Sequence, residues 1–152
     1  MTITHAAMGE PAFGIAPGHA EIWATLRTLR DERMAAMCQS AEALVRKAAE
    51  ASGLGVEISY DDIFLHCENA PEAVGHLVRA LDAEGVTHDA GDLPMRASED
   101  FGRFGGTGPS AMFYLGAGEK YPGLHNPDYD FPDALIDIGA RVFMRVVRDI
   151  LG

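Results

Sequence analysis

Three places in this chain combine residue types and spacing that could do chemistry. The first is Leu124-His125-Asn126-Pro127. Pro127 disfavours helical geometry at Asn126, so His125 is expected on extended backbone, just past the carboxyl end of a buried strand, where open α/β sheets bind ligands. An imidazole there can ligate a metal or move a proton. An ordinary surface-loop histidine would show the same local pattern, and a metal site takes three or four ligands rather than one. The second place is Ser98-Glu99-Asp100, which could orient a metal ligand or a substrate. On spacing alone Ser98 reads better as a helix N-cap, with the two carboxylates favoured by the helix dipole. The third is Arg27, on the same strand face as Trp23 in a period-two reading of residues 21–29. A planar guanidinium in a partly shielded setting can grip a carboxylate, although an arginine on a half-exposed strand is also commonplace.

Other candidates carry less. The glycines at 105–108 and at 116 and 118 are not followed by Lys-Ser/Thr at phosphate-loop spacing, and no βαβ fingerprint surrounds them. His5, His19, His66, His76 and His88 show no HExxH-type spacing and read as surface or core histidines. Cys38 and Cys67 form no CxxC pair and no regular disulfide spacing, so both are expected as buried, reduced thiols.

The elements that must position these residues follow from periodicity. Residues 2–6 alternate as a strand, and Gly9-Glu10-Pro11 and Ala16-Pro17-Gly18 punctuate a loop before the strand over 21–29. Asp31 and Glu32 suit a positive first helical turn, and Met34, Met37, Cys38, Ala41, Leu44, Val45 and Ala48 recur at helical spacing until Ser52-Gly53. Val56–Leu65 reads as a strand that breaks at Asp61-Asp62. Asn69-Ala70-Pro71 then opens a helix that Gly85 closes. Residues 110–115 are almost continuously apolar, as in a strand covered on both faces, and Pro132-Asp133 opens a final helix carried by Leu135, Ile138, Val142, Val146 and Ile150. This predicts an α+β or α/β chain in two parts, residues 1–69 with the order β-β-α-β and residues 70–152 with a terminal helix. Each part looks incomplete. The first lacks one β-α unit of a ferredoxin-like module, and the second has too few strands for a doubly wound sheet.

Composition bounds the partners. The 152 residues are 47% hydrophobic, enough to build a core. Twelve basic against 23 acidic residues give a formal charge of −11, which repels phosphate backbones and anionic membrane surfaces. No nucleic acid and no membrane partner is expected. The N-terminal residues carry no basic and apolar leader pattern, so a cytoplasmic location is expected.

Three segments, taken in order, resemble the zinc-dependent aminoacylase/hippurate-hydrolase/carboxypeptidase amidohydrolases. AFGIAPGHAEIWATLRTL at 12–29 is similar to that family's lid pattern, in which Asn, two hydrophobic residues and Pro lead into a strand ending in Arg. ASEDFGRF at 97–104 and GLHNPDYDFPDALIDIGARV at 123–142 resemble its C-terminal catalytic signature. The resemblance implies that residues 1–69 are part of a lid or dimerisation domain and residues 70–152 the C-terminal part of a catalytic domain. It implies that His125 is the C-terminal zinc ligand, that Arg27 holds the substrate's free carboxylate, and that Ser98, Glu99 and Asp100 line the site. It further implies zinc or another divalent metal as cofactor, an N-acyl amino acid or related amide as substrate, and a homodimer.

Two departures qualify the implied activity. Gly14 stands where the family usually has Asn, which removes an amide that could polarise the scissile carbonyl. The family's other zinc ligands and its general-base glutamate match nothing in these residues and are expected upstream. The chain alone is therefore expected to be an inactive fragment of an enzyme that hydrolyses amides, and a fragment that need bind no metal by itself. The alternative is a non-catalytic dimerising or carboxylate-binding module derived from such an enzyme.

Overall fold

A computed structural model describes residues 1–152. It is an α+β chain with a two-stranded antiparallel sheet, three α-helices and a 3₁₀ helix. The chain divides into two compact units, Met1–His66 and Cys67–Gly152.

In the first unit β1 (Thr2–Met8) pairs with β2 (Ala20–Thr25). The ladder runs from Thr2 opposite Thr25 to Met8 opposite Ala20, with an irregularity between Ile3 and His5. His5 and Trp23 face each other, with ring centroids 4.9 Å apart. The loop closes where the Gly9 amide donates to the His19 carbonyl at 3.0 Å. Gly9 has φ +57, and a Cβ there would lie 2.8 Å from the Pro17 Cβ, so both backbone and space demand glycine. The second strand is shorter than its alternation predicts. It ends at Thr25, leaving Arg27 outside the ladder rather than on a strand face with Trp23.

Helix α1 (Asp31–Ala51) carries Asp31 and Glu32 in its first turn, where the helix dipole favours them. It stops where the sequence predicts: Gly53, at φ +65, donates to the Glu50 carbonyl, and the Leu54 amide donates to the Ala49 carbonyl, the paired bonds of a Schellman cap. Met34, Met37 and Cys38 are only half-buried, and no residue of α1 is fully buried. Residues 54–66 do not form the predicted strand, because no other strand lies beside them to complete a ladder. They are tied to α1 at two points. The Tyr60 hydroxyl donates to Glu42 Oε1 at 2.9 Å, and this bond, with burial and the nearby Cys38, pushes the phenol pKa up to about 12. His66 binds Asp31 at the other end.

In the second unit, α2 (Pro71–Ala83) starts with Pro71 at its first position and ends in a second Schellman cap at Gly85, φ +69. It packs against α3 (Ala134–Leu151) through Ala80, Leu81 and Val142, the three buried hydrophobic residues of the chain. Val86, Phe113 and Val146 flank that cluster, and Arg141 pairs with Glu84 at 3.8 Å over it. Residues 110–115 run beside α3 but are not a strand: no neighbouring strand is present to pair with them. Their backbone is paired instead by Asn69 and Ala70. Expected as a capping residue, Asn69 instead gives its amide to the Met112 carbonyl at 2.8 Å and accepts from the Met112 amide at 2.9 Å, imitating the two bonds of a neighbouring strand. Ala70 takes the N-cap position, and its amide donates to the Ser110 carbonyl at 2.8 Å. No helix is long and apolar enough to cross a membrane.

Candidate functional site

The predicted site residues fall in both units. Arg27 is exposed in the first unit, two residues past β2. Ser98, Glu99, Asp100 and His125 belong to the second.

Ser98 and Glu99 are exposed, and the extended backbone of Glu99 leads into a 3₁₀ helix over Asp100–Gly106. The N-cap is Glu99 rather than Ser98, and no side chain caps the helix end. Asp100 pairs with Arg103 at 3.7 Å, and both side chains are largely in water, so the pair stabilises little. The helix holds Phe101 and Phe104 with ring centroids 5.2 Å apart. It closes where Thr107 donates both its amide and its hydroxyl to the Phe104 carbonyl, at 3.0 and 2.8 Å. Phe101, Phe104, Thr107, Pro109, Ser110 and Ala111 line a shallow depression beside it.

Glu99 has neighbours that the sequence did not reveal. Burial raises the pKa of Cys67, and the negative charge of Glu99 raises it further. Burial also raises Tyr114, followed by Glu99 and then Cys67. Glu99, Cys67 and Tyr114 are thus one electrostatic neighbourhood drawn from three separate segments. Cys67 is exposed at the residue level, contrary to the buried thiol expected, and forms no disulfide. A thiol held protonated in this way is a poor nucleophile at neutral pH. The strand-like alternation of 110–115 could have signalled Tyr114, since it turns Phe113 and Leu115 one way and Tyr114 the other. Nothing in the sequence marks Cys67 as a neighbour of Glu99.

His125 is exposed, and its backbone is not extended. It has φ +70, a left-handed conformation within the turn at 124–125. Pro127 restricts Asn126, but the turn is set one residue earlier, where the Asn126 amide donates to the Gly123 carbonyl at 3.1 Å. Histidine tolerates this region better than most residues, at a cost of about 1 kcal/mol or more. Tyr121 braces the loop. Its hydroxyl donates to the Asp130 carbonyl at 2.6 Å, and its ring meets Tyr129 edge-on at 6.0 Å.

No three His, Cys, Asp or Glu side chains converge where they could share a metal ion. His125 does not complete a metal centre with the residues present, and no catalytic step is derived through one.

Residues 4–149 match the peptidase family M20/M25/M40. N-acetyldiaminopimelate deacetylases from Streptococcus thermophilus are 30% identical over 109 residues, covering 71% of this chain and 29% of the relative. The protein of that name from Bacillus pumilus is 29% identical, with 90% of this chain and 37% of the relative covered. The chain spans about a third of the length of these curated relatives. No solved structure matches it significantly. With the lid-like segment, the Ser98-Glu99-Asp100 cluster and the His125 loop all inside the matched region, the chain belongs to the peptidase family M20/M25/M40.

Proposed function

We propose that these residues are part of an amidohydrolase that cleaves N-acyl amino acids or related amides, and that they do not hydrolyse amides by themselves. The family match over residues 4–149 carries this reading. The name shared by the relatives, N-acetyldiaminopimelate deacetylase, describes the removal of an acetyl group from an amino acid and fits that substrate class.

In this reading the first unit is part of the lid and the second the C-terminal part of the catalytic domain. Arg27 holds the substrate carboxylate through its guanidinium fork, in which two parallel N–H donors match two carboxylate oxygens. His125 contributes one ligand to a zinc or similar divalent ion. When bound, that ion lowers the pKa of a water and polarises the scissile carbonyl. Exposure of His125 on a turn that Tyr121 and Asn126 hold in shape supports its role. Ser98, Glu99 and Asp100 correspond to the motif that lines the family's site. The remaining ligands and the general base come from the part of the family outside this match, since no ligand cluster forms here. The first unit also makes the homodimer contact. Its two-stranded ribbon supports this, being exposed on both faces.

Gly14 lacks the side-chain amide of the Asn that the family usually has there. Its φ is +79, a region that Gly and Asn both enter readily. The test of the substrate class is Arg27→Ala in the completed enzyme. KM for an N-acyl amino acid should rise at least about tenfold, the loss of one charge-assisted carboxylate contact. KM for the matching amide without the carboxylate should not move. Equal effects on both substrates would overturn the assignment.

A further inference from the structure

Arg27 sits in a short loop whose two ends are held by different means. Residues 26–30 join β2 to α1. At the near end Thr25 pairs with Thr2, the last step of the ladder. At the far end Asp31 opens α1, and its carboxylate accepts from the His66 amide at 2.7 Å and lies 2.8 Å from His66 Nδ1. Inside the loop the Thr28 hydroxyl donates to the Arg30 carbonyl at 2.9 Å, the same oxygen that accepts the first helical bond from the Met34 amide. All of these contacts lie in the first unit.

An acidic residue in a first helical turn commonly serves its own helix, by facing the unpaired amides there. Asp31 is turned to His66 instead. No side chain caps α1, and Arg30 in the N-cap position makes no cap bond. Helix ends without such tethers fray. The bonds from His66 tie this turn to the end of residues 54–66, which run back along the helix with Leu54 bonded to Ala49 and Tyr60 to Glu42 on the way. Fraying of the first turn would lengthen the loop that carries Arg27. A loop fixed at both ends has few conformations, whereas a loose end returns the conformational freedom of every residue released.

We propose that Asp31 and His66 are positioning residues for the carboxylate-binding arginine, their clasp fixing the first turn of α1 and with it the loop that carries Arg27. The inference rests on the reading of Arg27 as the residue that grips a substrate carboxylate. Asp31 and His66 act through Arg27 and not on the substrate. A guanidinium already held in one arrangement loses less freedom when it binds, so the clasp governs affinity for carboxylates rather than the chemical step.

The test is nuclear magnetic resonance on the full chain, with hippurate and its amide as probes. Hippurate should shift the Arg27 side-chain N–H signal with a Kd on the order of 10 mM, and the amide, which lacks the carboxylate, should not. Asp31→Ala and His66→Ala should each weaken hippurate binding at least about threefold, with the signals of β1 and β2 unchanged. Backbone order parameters over 27–30 should fall from about 0.85 to below about 0.6 in both. His66→Asn should restore affinity and order, because a side-chain amide donor replaces the imidazole N–H. Tyr60→Phe cuts a different tie of residues 54–66 and should change neither, which separates positioning from a general loosening of that segment. Hippurate and its amide shifting Arg27 alike, or neither shifting it, would overturn the carboxylate reading of Arg27 and this proposal with it. Wild-type binding specific to hippurate, with loop order and affinity unchanged in the clasp variants or reduced equally in Tyr60→Phe, would overturn the proposal alone.

Discussion

His66 grips Asp31 twice across 35 residues of sequence. Its backbone amide donates to Asp31 Oδ1 at 2.7 Å, and its ring Nδ1 lies 2.8 Å from Asp31 Oδ2. The clasp joins the end of the extended 54–66 segment to the first turn of α1, where the helix dipole also favours the carboxylate. The His66 bonds hold the Asp31 carboxyl below its ordinary pKa, against an opposing push from burial.

The pH dependence of the first unit follows from that shift. A carboxyl with a depressed native pKa binds fewer protons in the folded than in the unfolded chain, so its stabilisation is complete above its unfolded value. It is lost as pH falls through the folded one. The stability contributed by the Asp31 carboxylate should therefore decline as pH falls below the ordinary Asp value of 3.8. Asp31→Ala should cost about 1 kcal/mol at pH 7, a modest figure because both side chains are partly in water. Most of that difference should vanish at pH 2. Urea unfolding of both proteins at the two pH values checks this, and a larger difference at pH 2 than at pH 7 would refute it.

Asn69 substitutes for a strand. Replacing it with Ala leaves both the amide and the carbonyl of Met112 without their partner, at a cost of about 2 kcal/mol in the second unit. Asn69→Asp should fall between, since a carboxylate still accepts from the Met112 amide but repels its carbonyl. Equal stability of all three proteins in urea would show that the bridge contributes nothing.

Val142 is the one large side chain wholly shielded from water. Val142→Ala should destabilise the α2–α3 pair by about 1–3 kcal/mol through lost burial and the cavity left behind. Val147→Ala, at an exposed position of the same helix, should change stability by less than about 0.5 kcal/mol. Thermal unfolding of the two variants distinguishes the buried core residue from the exposed one.

The backbone at His125 separates structure from chemistry. His125→Gly should keep the turn and stabilise it by roughly 1 kcal/mol, because glycine enters φ +70 without strain. His125→Val should destabilise it, since a β-branched residue is a poor fit there. In a completed enzyme both should lose activity. Activity surviving in the glycine variant would remove His125 from the site whatever its effect on stability.

Much of this was legible in the sequence, for local reasons. Helices α1 and α2 stop at Gly53 and Gly85 because only a residue at ease with positive φ can make those caps, and Pro71 starts α2 because its ring suits a first turn. The strands were less legible. Residues 56–65 and 110–115 have strand composition, but a strand exists only beside another one, and a single chain's periodicity does not say whether that neighbour is present. The same gap misplaced Arg27: alternation continued past Thr25, while the ladder ended with β1. At the site, the cluster at 98–100 and the His125 loop stood out by residue type. The left-handed turn at His125 and the nearness of Glu99 to Cys67 and Tyr114 depend on contacts between distant segments, and no local pattern encodes them.

The most direct test of the account is hippurate hydrolysis by the purified chain with added zinc, alone and together with the complementary part of the family fold. The account predicts no turnover by the chain alone and zinc-dependent turnover in the mixture that His125→Ala abolishes. Turnover by the chain alone that persists after contaminating amidases are removed, or mixed turnover indifferent to His125→Ala, would contradict it.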